Sequence, residues 1–243
     1  MKKSLFTVCE NRMLTTDVYK MVLEGDTSAI TVPGQFINIA LEGFYLRRPI
    51  SVCDWTEGEL TILYKVVGEG TRHMSTLQQG AILDILTGLG NGYDIEKSGK
   101  TPLLIGGGVG IPPLYGLAKR LIAKGCKPSV ILGFNQKSEV FYVEEFQALG
   151  MDVIVTTVDG SMGISGFVTD GIQEKQPSYL YTCGPEGMLR AVYQHSTCDG
   201  QFSFEERMGC GFGACMGCSC KTIHGYKRIC KEGPVLERGE ILW

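Results

Sequence analysis

Five of the ten cysteines in this 243-residue chain fall within twenty-one residues: Cys210, Cys215, Cys218, Cys220 and Cys230. Cys210, Cys215 and Cys218 read C-x4-C-x2-C, and Cys230 follows after eleven residues. This is the plant-type ligand spacing of a [2Fe–2S] cluster. Two irons and two sulfides need four thiolates, three from one tight loop and one from elsewhere. Gly209, Gly211, Gly213 and Gly217 suit such a loop, because glycine accepts positive φ and lets main-chain N–H groups close on the sulfurs. Cys220 falls outside the spacing and is expected on the following strand as a non-ligand. Zinc is the competing chemistry, but zinc sites use two C-x2-4-C pairs or a pair plus histidines. Only His224 lies near this loop.

Three further motifs suit nucleotides. Gly106-Gly107-Gly108-Val109-Gly110-Ile111-Pro112-Pro113 follows an apolar run and opens a helical one. A phosphate sits well against such a helix start, with Gly107, Gly108 and Gly110 permitting close approach; proline is tolerated in the first turn. Cys183-Gly184-Pro185, with Met188 just beyond, ends a later strand before another helix. In parallel sheets ligands bind on that rim. Asp159-Gly160-Ser161 ends a third strand, where a carboxylate bonds ribose hydroxyls and repels a 2′-phosphate. NAD is therefore expected over NADP. Earlier in the chain, Arg47-Arg48-Pro49-Ile50-Ser51 offers a forked guanidinium, suited to phosphate, beside a hydroxyl. Gly68-Glu69-Gly70-Thr71 offers N–H groups at a helix start. Together they are candidates to hold the pyrophosphate and isoalloxazine of a flavin. Each motif taken alone is also readable as an ordinary turn or surface charge.

The elements that must position these groups fall into three parts: residues 1–98, 99–200 and 201–243. In the first, Phe36 to Ala40, Pro49 to Cys53, Leu60 to Val67 and Ala81 to Leu86 are short β-branched or alternating runs, implying an antiparallel barrel or sandwich. One helix over Arg72 to Gln78, capped by Thr71, interrupts it. In the second, strands at Leu103 to Ile105, Ser129 to Phe134, Val153 to Thr157 and Tyr179 to Thr182 alternate with helices. The helices are expected at Leu114 to Lys124, Glu144 to Leu149, Val168 to Glu174 and Glu186 to His195. That rhythm implies βαβ units and a parallel sheet. The third part is a Cys- and Gly-rich tail.

Composition bounds the function. The net charge of −3 is spread along the chain, and no basic stripe or polybasic tract points to nucleic acid or an anionic membrane. The apolar share of 44% is that of a globular protein with a real core. Leu103 to Leu117 is broken by five glycines and two prolines, short of the ~20 apolar residues of a span. The apolar run after Met1-Lys2-Lys3 stops at Glu10, too soon for a signal segment. A cytosolic protein is expected, and in a reducing compartment crowded cysteines read as metal ligands.

These parts in this order resemble the ferredoxin reductase-like flavoproteins, and within them the electron-transfer subunits of NAD-dependent dihydroorotate dehydrogenase type B. The residues that carry the resemblance are Arg48-Pro49-Ile50-Ser51, Leu63-Tyr64-Lys65, Gly70-Thr71, the Gly106 to Pro113 loop, Cys183-Gly184-Pro185, and Glu206-Arg207-Met208-Gly209-Cys210 with its loop. The general pattern reads Arg-x-Tyr-Ser. Here Ile50 replaces the tyrosine, as in the subunit family. The resemblance implies a six-stranded FAD barrel, an NAD domain, a cluster lobe, and an FMN-carrying partner subunit that oxidises dihydroorotate to orotate in pyrimidine biosynthesis, two of each chain forming a heterotetramer. Electrons would run from partner FMN to cluster, FAD and NAD⁺, the flavin standing between a two-electron and a one-electron carrier. Cys183 would position the nicotinamide. Two alternatives stay open: a reductase subunit of a hydrogenase, sulfite reductase or ferredoxin-linked complex, and a zinc-stabilised interaction protein.

Overall fold

The computed structural model describes residues 1–172 and 176–243. The N-terminal part is a closed antiparallel barrel of β1 (Lys2–Met13), β2 (Val18–Gly25), β3 (Phe36–Ile39), β4 (Arg48–Trp55), β5 (Glu59–Lys65) and, after helix α1 (Glu69–Ser75), β6 (Ile82–Leu89). Its order around the barrel is β1-β2-β5-β4-β3-β6. Phe6, Val8, Met21, Leu23, Ile37, Ile39, Ile62, Tyr64 and Ile85 fill its interior. The first two strands, β1 and β2, have no counterpart among the runs read from the sequence. A bulge between Val8 and Glu10 explains β1: it shifts the alternation by one residue, so no period of two spans the strand.

Helix α1 starts earlier than its expected Arg72 and stops earlier than Gln78. Thr71 is not its N-cap; Gly68 is, in an extended conformation. Thr71 Oγ1 reaches back to accept the N–H groups of Val67 and Gly68 at 3.0 and 3.2 Å. A short hydroxyl side chain thus caps from inside the first turn, which its type alone could not distinguish from capping at the boundary.

The nucleotide part follows as β7 (Leu103–Gly107), α2 (Pro112–Ala123), β8 (Ser129–Phe134), α3 (Val143–Ala148), β9 (Asp152–Thr157), β10 (Ile164–Ser165), α4 (Val168–Ile172), β11 (Leu180–Cys183), α5 (Glu186–His195) and β12 (Gly200–Ser203). The helix expected over Val168 to Glu174 thus begins as expected; Gln173, Glu174 and Lys175 lie outside the described residues. The hairpin β13 (Ser219–Thr222) and β14 (Gly225–Arg228) and the strand β15 (Val235–Glu237) complete the chain. The main sheet runs β10-β9-β8-β7-β11-β12-β15, parallel except where β15 meets β12. The C-terminal tail therefore contributes an edge strand to the nucleotide sheet.

Two apolar clusters join the parts. One packs Val18, Cys53 and Leu63 of the barrel against Leu114, Leu117 and Leu121 of α2. Gly116 is needed there, since a Cβ would lie 2.7 Å from the Cys53 carbonyl oxygen. The other packs Phe36 and Leu89 against Ile229, Cys218 and Cys230 of the tail. Among the described residues no helix is long and apolar enough to cross a membrane.

Candidate functional site

The barrel opens between two of its strands. β4 pairs with β5 at Val52–Ile62, Asp54–Thr61 and Trp55–Leu60. Beyond Ile62, β5 is paired among the described residues with β2 alone, through Leu63–Lys20, Tyr64–Tyr19 and Lys65–Val18, while Arg48 to Ser51 of β4 pair with β3. The strands diverge here, leaving the β4-facing main chain of Leu63 to Lys65 free for a ligand. The two motifs read as flavin-binding, Arg48 to Ser51 and Leu63 to Lys65, are the two lips of this opening.

Their side chains divide by role. Leu63 and Tyr64 are core residues, and the Tyr64 hydroxyl donates to Asn11 Oδ1 at 2.9 Å. Ile50 packs on the barrel core, and Lys65 pairs with Asp17 at 3.0 Å. What Leu63 and Tyr64 offer a ligand is main chain. The adjacent arginines also have different fates. Arg47 donates to the Asn38 and Asp84 carbonyls and pairs with the Asp84 carboxylate at 2.8 Å. Arg48 lies over the Phe44 ring at 4.7 Å and donates to the Leu46 carbonyl. Gly70 lets it settle there, because a Cβ would come within 2.6 Å of its guanidinium carbon. Arg48 is thus the forked cation left beside the opening, joined to α1 through Gly70.

The glycine run and Cys183-Gly184-Pro185 meet. β7 and β11 are neighbours, with Cys183 in register with Gly106. A Cβ on Gly110 would lie 2.5 Å from the Cys183 carbonyl carbon and 2.6 Å from Gly184 Cα; one on Gly107 would strike the Met188 sulfur. At Gly110 the obstacles are main chain, so only glycine permits this approach. The chain passes from β7 to β8 and β9 on one side and returns to β11 on the other, so the crevice stands at the topological switch point of the sheet. Gly108 takes a left-handed φ of 51° at its mouth. Cys183 is half-buried. Burial pushes its thiol up to about 12, with Ser203 and Tyr93 hydrogen bonds opposing the shift. It stays a neutral thiol, suited to packing and not to nucleophilic attack.

Asp159 lies apart from this crevice, after β9, and is exposed. Its Oδ1 accepts from Ser161 N and Oγ at 3.0 and 2.6 Å, and these bonds hold its carboxyl below the usual carboxylate range. One oxygen is thus committed to closing its own turn.

The cysteine loop gathers its sulfurs in two pairs, Cys210 with Cys215 and Cys218 with Cys230. Cys210 Sγ accepts from Ala214 N at 3.2 Å and Cys215 N at 3.5 Å; Cys218 Sγ accepts from Cys230 N at 3.4 Å. Burial raises the Cys210 thiol, but the N–H groups of Phe212, Cys215 and Ala214 outweigh it and bring the pKa down to about 6. Burial and Cys218 push Cys230 up. Burial thus favours the neutral thiol at Cys230, and a metal centre bound there would favour its thiolate. Two thiol pairs with N–H groups aimed at sulfur suit two iron atoms. Among the described residues no three His, Cys, Asp or Glu side chains are arranged to hold a single metal ion. Gly211 and Gly213, at φ 78° and 90°, make the loop's bends, and Arg228 clamps it through the Gly213 carbonyl at 2.6 Å. Cys220 stands on β13, donating to the Lys221 carbonyl. Asn38 was not singled out from the sequence, although a lone amide in Phe36-Ile37-Asn38-Ile39 was its signal. It is 1% exposed and donates to the Cys210 carbonyl at 3.2 Å.

A split flavin barrel, a switch-point crevice and a four-cysteine loop define a ferredoxin reductase-like protein with a cluster lobe. Comparison with known proteins agrees. Residues 205–242 match the iron-sulfur cluster binding domain of dihydroorotate dehydrogenase B, and 104–194 an oxidoreductase NAD-binding domain. The "Dihydroorotate dehydrogenase B (NAD(+)), electron transfer subunit" of Bacillus mycoides (strain KBAB4) is 44% identical, aligned over 100% of this chain and 99% of its own. That of Bacillus cereus (strain G9842) is 43% identical over the same shares. The chain belongs to this family of dihydroorotate dehydrogenase B electron transfer subunits. Among solved structures, one described as the NADH-dependent reduced ferredoxin-NADP oxidoreductase superposes with a TM-score of 0.89 at 29% identity, covering 98% of this chain and 90% of that one. The ferredoxin reductase of carbazole 1,9a-dioxygenase, at 22% identity and a TM-score of 0.69, shares the fold over 80% of this chain and 65% of its own.

Proposed function

We propose that this chain carries electrons between an FMN-containing dihydroorotate dehydrogenase subunit and NAD⁺, in the oxidation of dihydroorotate to orotate for pyrimidine synthesis. Cys210, Cys215, Cys218 and Cys230 would hold the [2Fe–2S] cluster. Arg48 to Ser51, the main chain of Leu63 to Lys65, and Gly70-Thr71 would hold FAD. Gly107, Gly108 and Gly110 with Cys183-Gly184-Pro185 would hold NAD, with Asp159 toward its ribose. When bound, the flavin exchanges electron pairs with nicotinamide and single electrons with the cluster. The chain's own residues supply position. Arg48 sets a cation at the flavin opening, the glycines bring main chain to the dinucleotide, and neutral Cys183 packs at the crevice without taking a proton. Residues 1–98, 99–200 and 201–243 would be the FAD, NAD and cluster units. The ten cysteines are all free, in keeping with a reducing cytoplasm. The expected assembly is a heterotetramer of two chains of each kind.

The observation that carries this reading is the meeting of the cysteine loop with the barrel strand beside the flavin opening, through Asn38 and Cys210. Identity of 44% along the whole chain favours the dihydroorotate partner over the bifurcating complex, whose chain is 29% identical. The test is anaerobic purification with iron, acid-labile sulfide and flavin analysis, absorption spectra before and after NADH, and co-purification with an FMN-containing dihydroorotate oxidiser. A colourless protein, or one holding zinc, refutes it.

A further inference from the structure

Asn38 joins the flavin opening to the cluster loop by a short chain of hydrogen bonds. On β3 it is in register with Pro49 of the flavin strand β4. Its neighbours Ile37 and Ile39 point into the barrel, so Asn38 points outward, toward the tail. Arg47, next to the flavin-facing Arg48, donates to the Asn38 carbonyl at 3.2 Å, and Asn38 Nδ2 donates to the carbonyl of Cys210. A carbonyl only accepts, so the amide orientation is unambiguous and Oδ1 points elsewhere. Oδ1 is buried and has no hydrogen-bond partner among the described residues. Gly211 is shaped to this contact, since a Cβ there would run into the Asn38 amide.

Such a residue adds little net stability, because the unpartnered oxygen offsets what the Nδ2 hydrogen bond returns. An apolar side chain of the same shape would remove the unpartnered oxygen but leave the Cys210 carbonyl without its donor, so the two effects oppose each other. We propose that Asn38 is a positioning residue of the electron relay: it holds the first cluster ligand in fixed register with the flavin strand pair. This rests on the cofactor assignment above. The benefit is geometric, because transfer between two bound groups depends on their being held in one arrangement, and this hydrogen bond adds a directional tie to the apolar packing of Phe36 on β3 against Cys218 and Cys230.

The experiment compares wild type with Asn38→Leu, each reconstituted with its FMN partner. The expected result has four parts. Thermal stability changes little in the variant, because the lost hydrogen bond and the removed unpartnered oxygen oppose each other. FAD content and reduction of the flavin by NADH stay within about twofold of wild type. The electron paramagnetic resonance signal and visible circular dichroism of the reduced cluster change. Electron delivery from NADH to the partner's FMN slows at least about tenfold. Asn38→Asp, close in size, is the second variant. It removes the donor and sets an oxygen against the Cys210 carbonyl, and it should give the same cluster signature should Asn38→Leu fold poorly. A variant with wild-type cluster spectra and wild-type delivery overturns the proposal. So does a variant that is less stable yet spectroscopically unchanged, because Asn38 would then be a structural residue only. A wild-type protein without flavin or cluster would overturn the cofactor assignment instead, which keeps the two failures apart.

Discussion

Gly110→Ala is the sharpest test of the nucleotide crevice. The added methyl would lie 2.5 Å from the Cys183 carbonyl carbon and 2.6 Å from Gly184 Cα. Carbon atoms prefer about 3.5–4.0 Å, so the ends of β7 and β11 must part by about 1 Å. Both obstacles are main chain, which cannot swing aside as a flexible side chain would. Overpacking of this kind costs about 1–3 kcal/mol of stability. A shift of about 1 Å at a site that aligns reacting groups costs on the order of 10²-fold in rate. Stopped-flow reduction of the flavin by NADH should therefore slow by about that factor. The flavin and cluster spectra of the resting protein should be unchanged, since the barrel and tail are untouched. Gly187→Ala is the control on the same rim. Nothing lies within 4 Å of its Cβ position, and alanine suits a helix better than glycine by about 0.5–1 kcal/mol. A Gly110→Ala protein that takes electrons from NADH within about twofold of wild type, at the same NADH affinity, would refute the reasoning.

The remaining predictions address the other sites. Arg48→Ala removes the cation at the opening proposed to take the flavin. Loss of a charged hydrogen bond of about 1.5–3 kcal/mol should weaken FAD binding by about ten- to a hundredfold, read by titration of the apoprotein with FAD. Cys215→Ser should abolish electron delivery to the FMN partner and lower bound iron, while NADH still reduces the FAD. Cys220→Ser should keep its iron, because that thiol stands on β13 outside the ligand loop. Asp84 bears on pH. Burial alone would raise its carboxyl, but hydrogen bonds from Lys3 and Arg47 hold it below the usual range. Its folded pKa is therefore below its unfolded one, near 4. The stabilisation is complete above that value and is lost as pH falls through the folded pKa. Asp84→Asn should destabilise the protein by about 1 kcal/mol at pH 7 and flatten its loss of stability below pH 4, measured by urea unfolding across that window.

Much of the chemistry was legible because it is local. The C-x4-C-x2-C spacing lies within one loop, and the strand–glycine–helix order at Gly106 to Pro113 is a property of adjacent residues. The alternation of strands and helices from Leu103 to His195 named the parallel sheet, and α5 falls on its expected Glu186 to His195. Thr71 was legible as a capping residue, but not as one capping from the third helical position.

What tertiary structure decided is which groups of the same type do which work. Arg47 and Arg48 are equivalent in sequence; only the position of Asp84, thirty-seven residues on, commits one to the barrel and leaves the other beside the opening between β4 and β5. Leu63-Tyr64-Lys65 carries the family resemblance as three residue types, and only the divergence of β4 from β5 turns its main chain toward the opening. Asn38 and Cys210 are 172 residues apart. Ligand spacing is encoded within reach of a single loop, where covalent geometry limits the outcomes. The distance from that loop to the flavin strands depends on how three separately recognisable segments pack. That packing is set by apolar burial summed over the whole chain, which no short window contains.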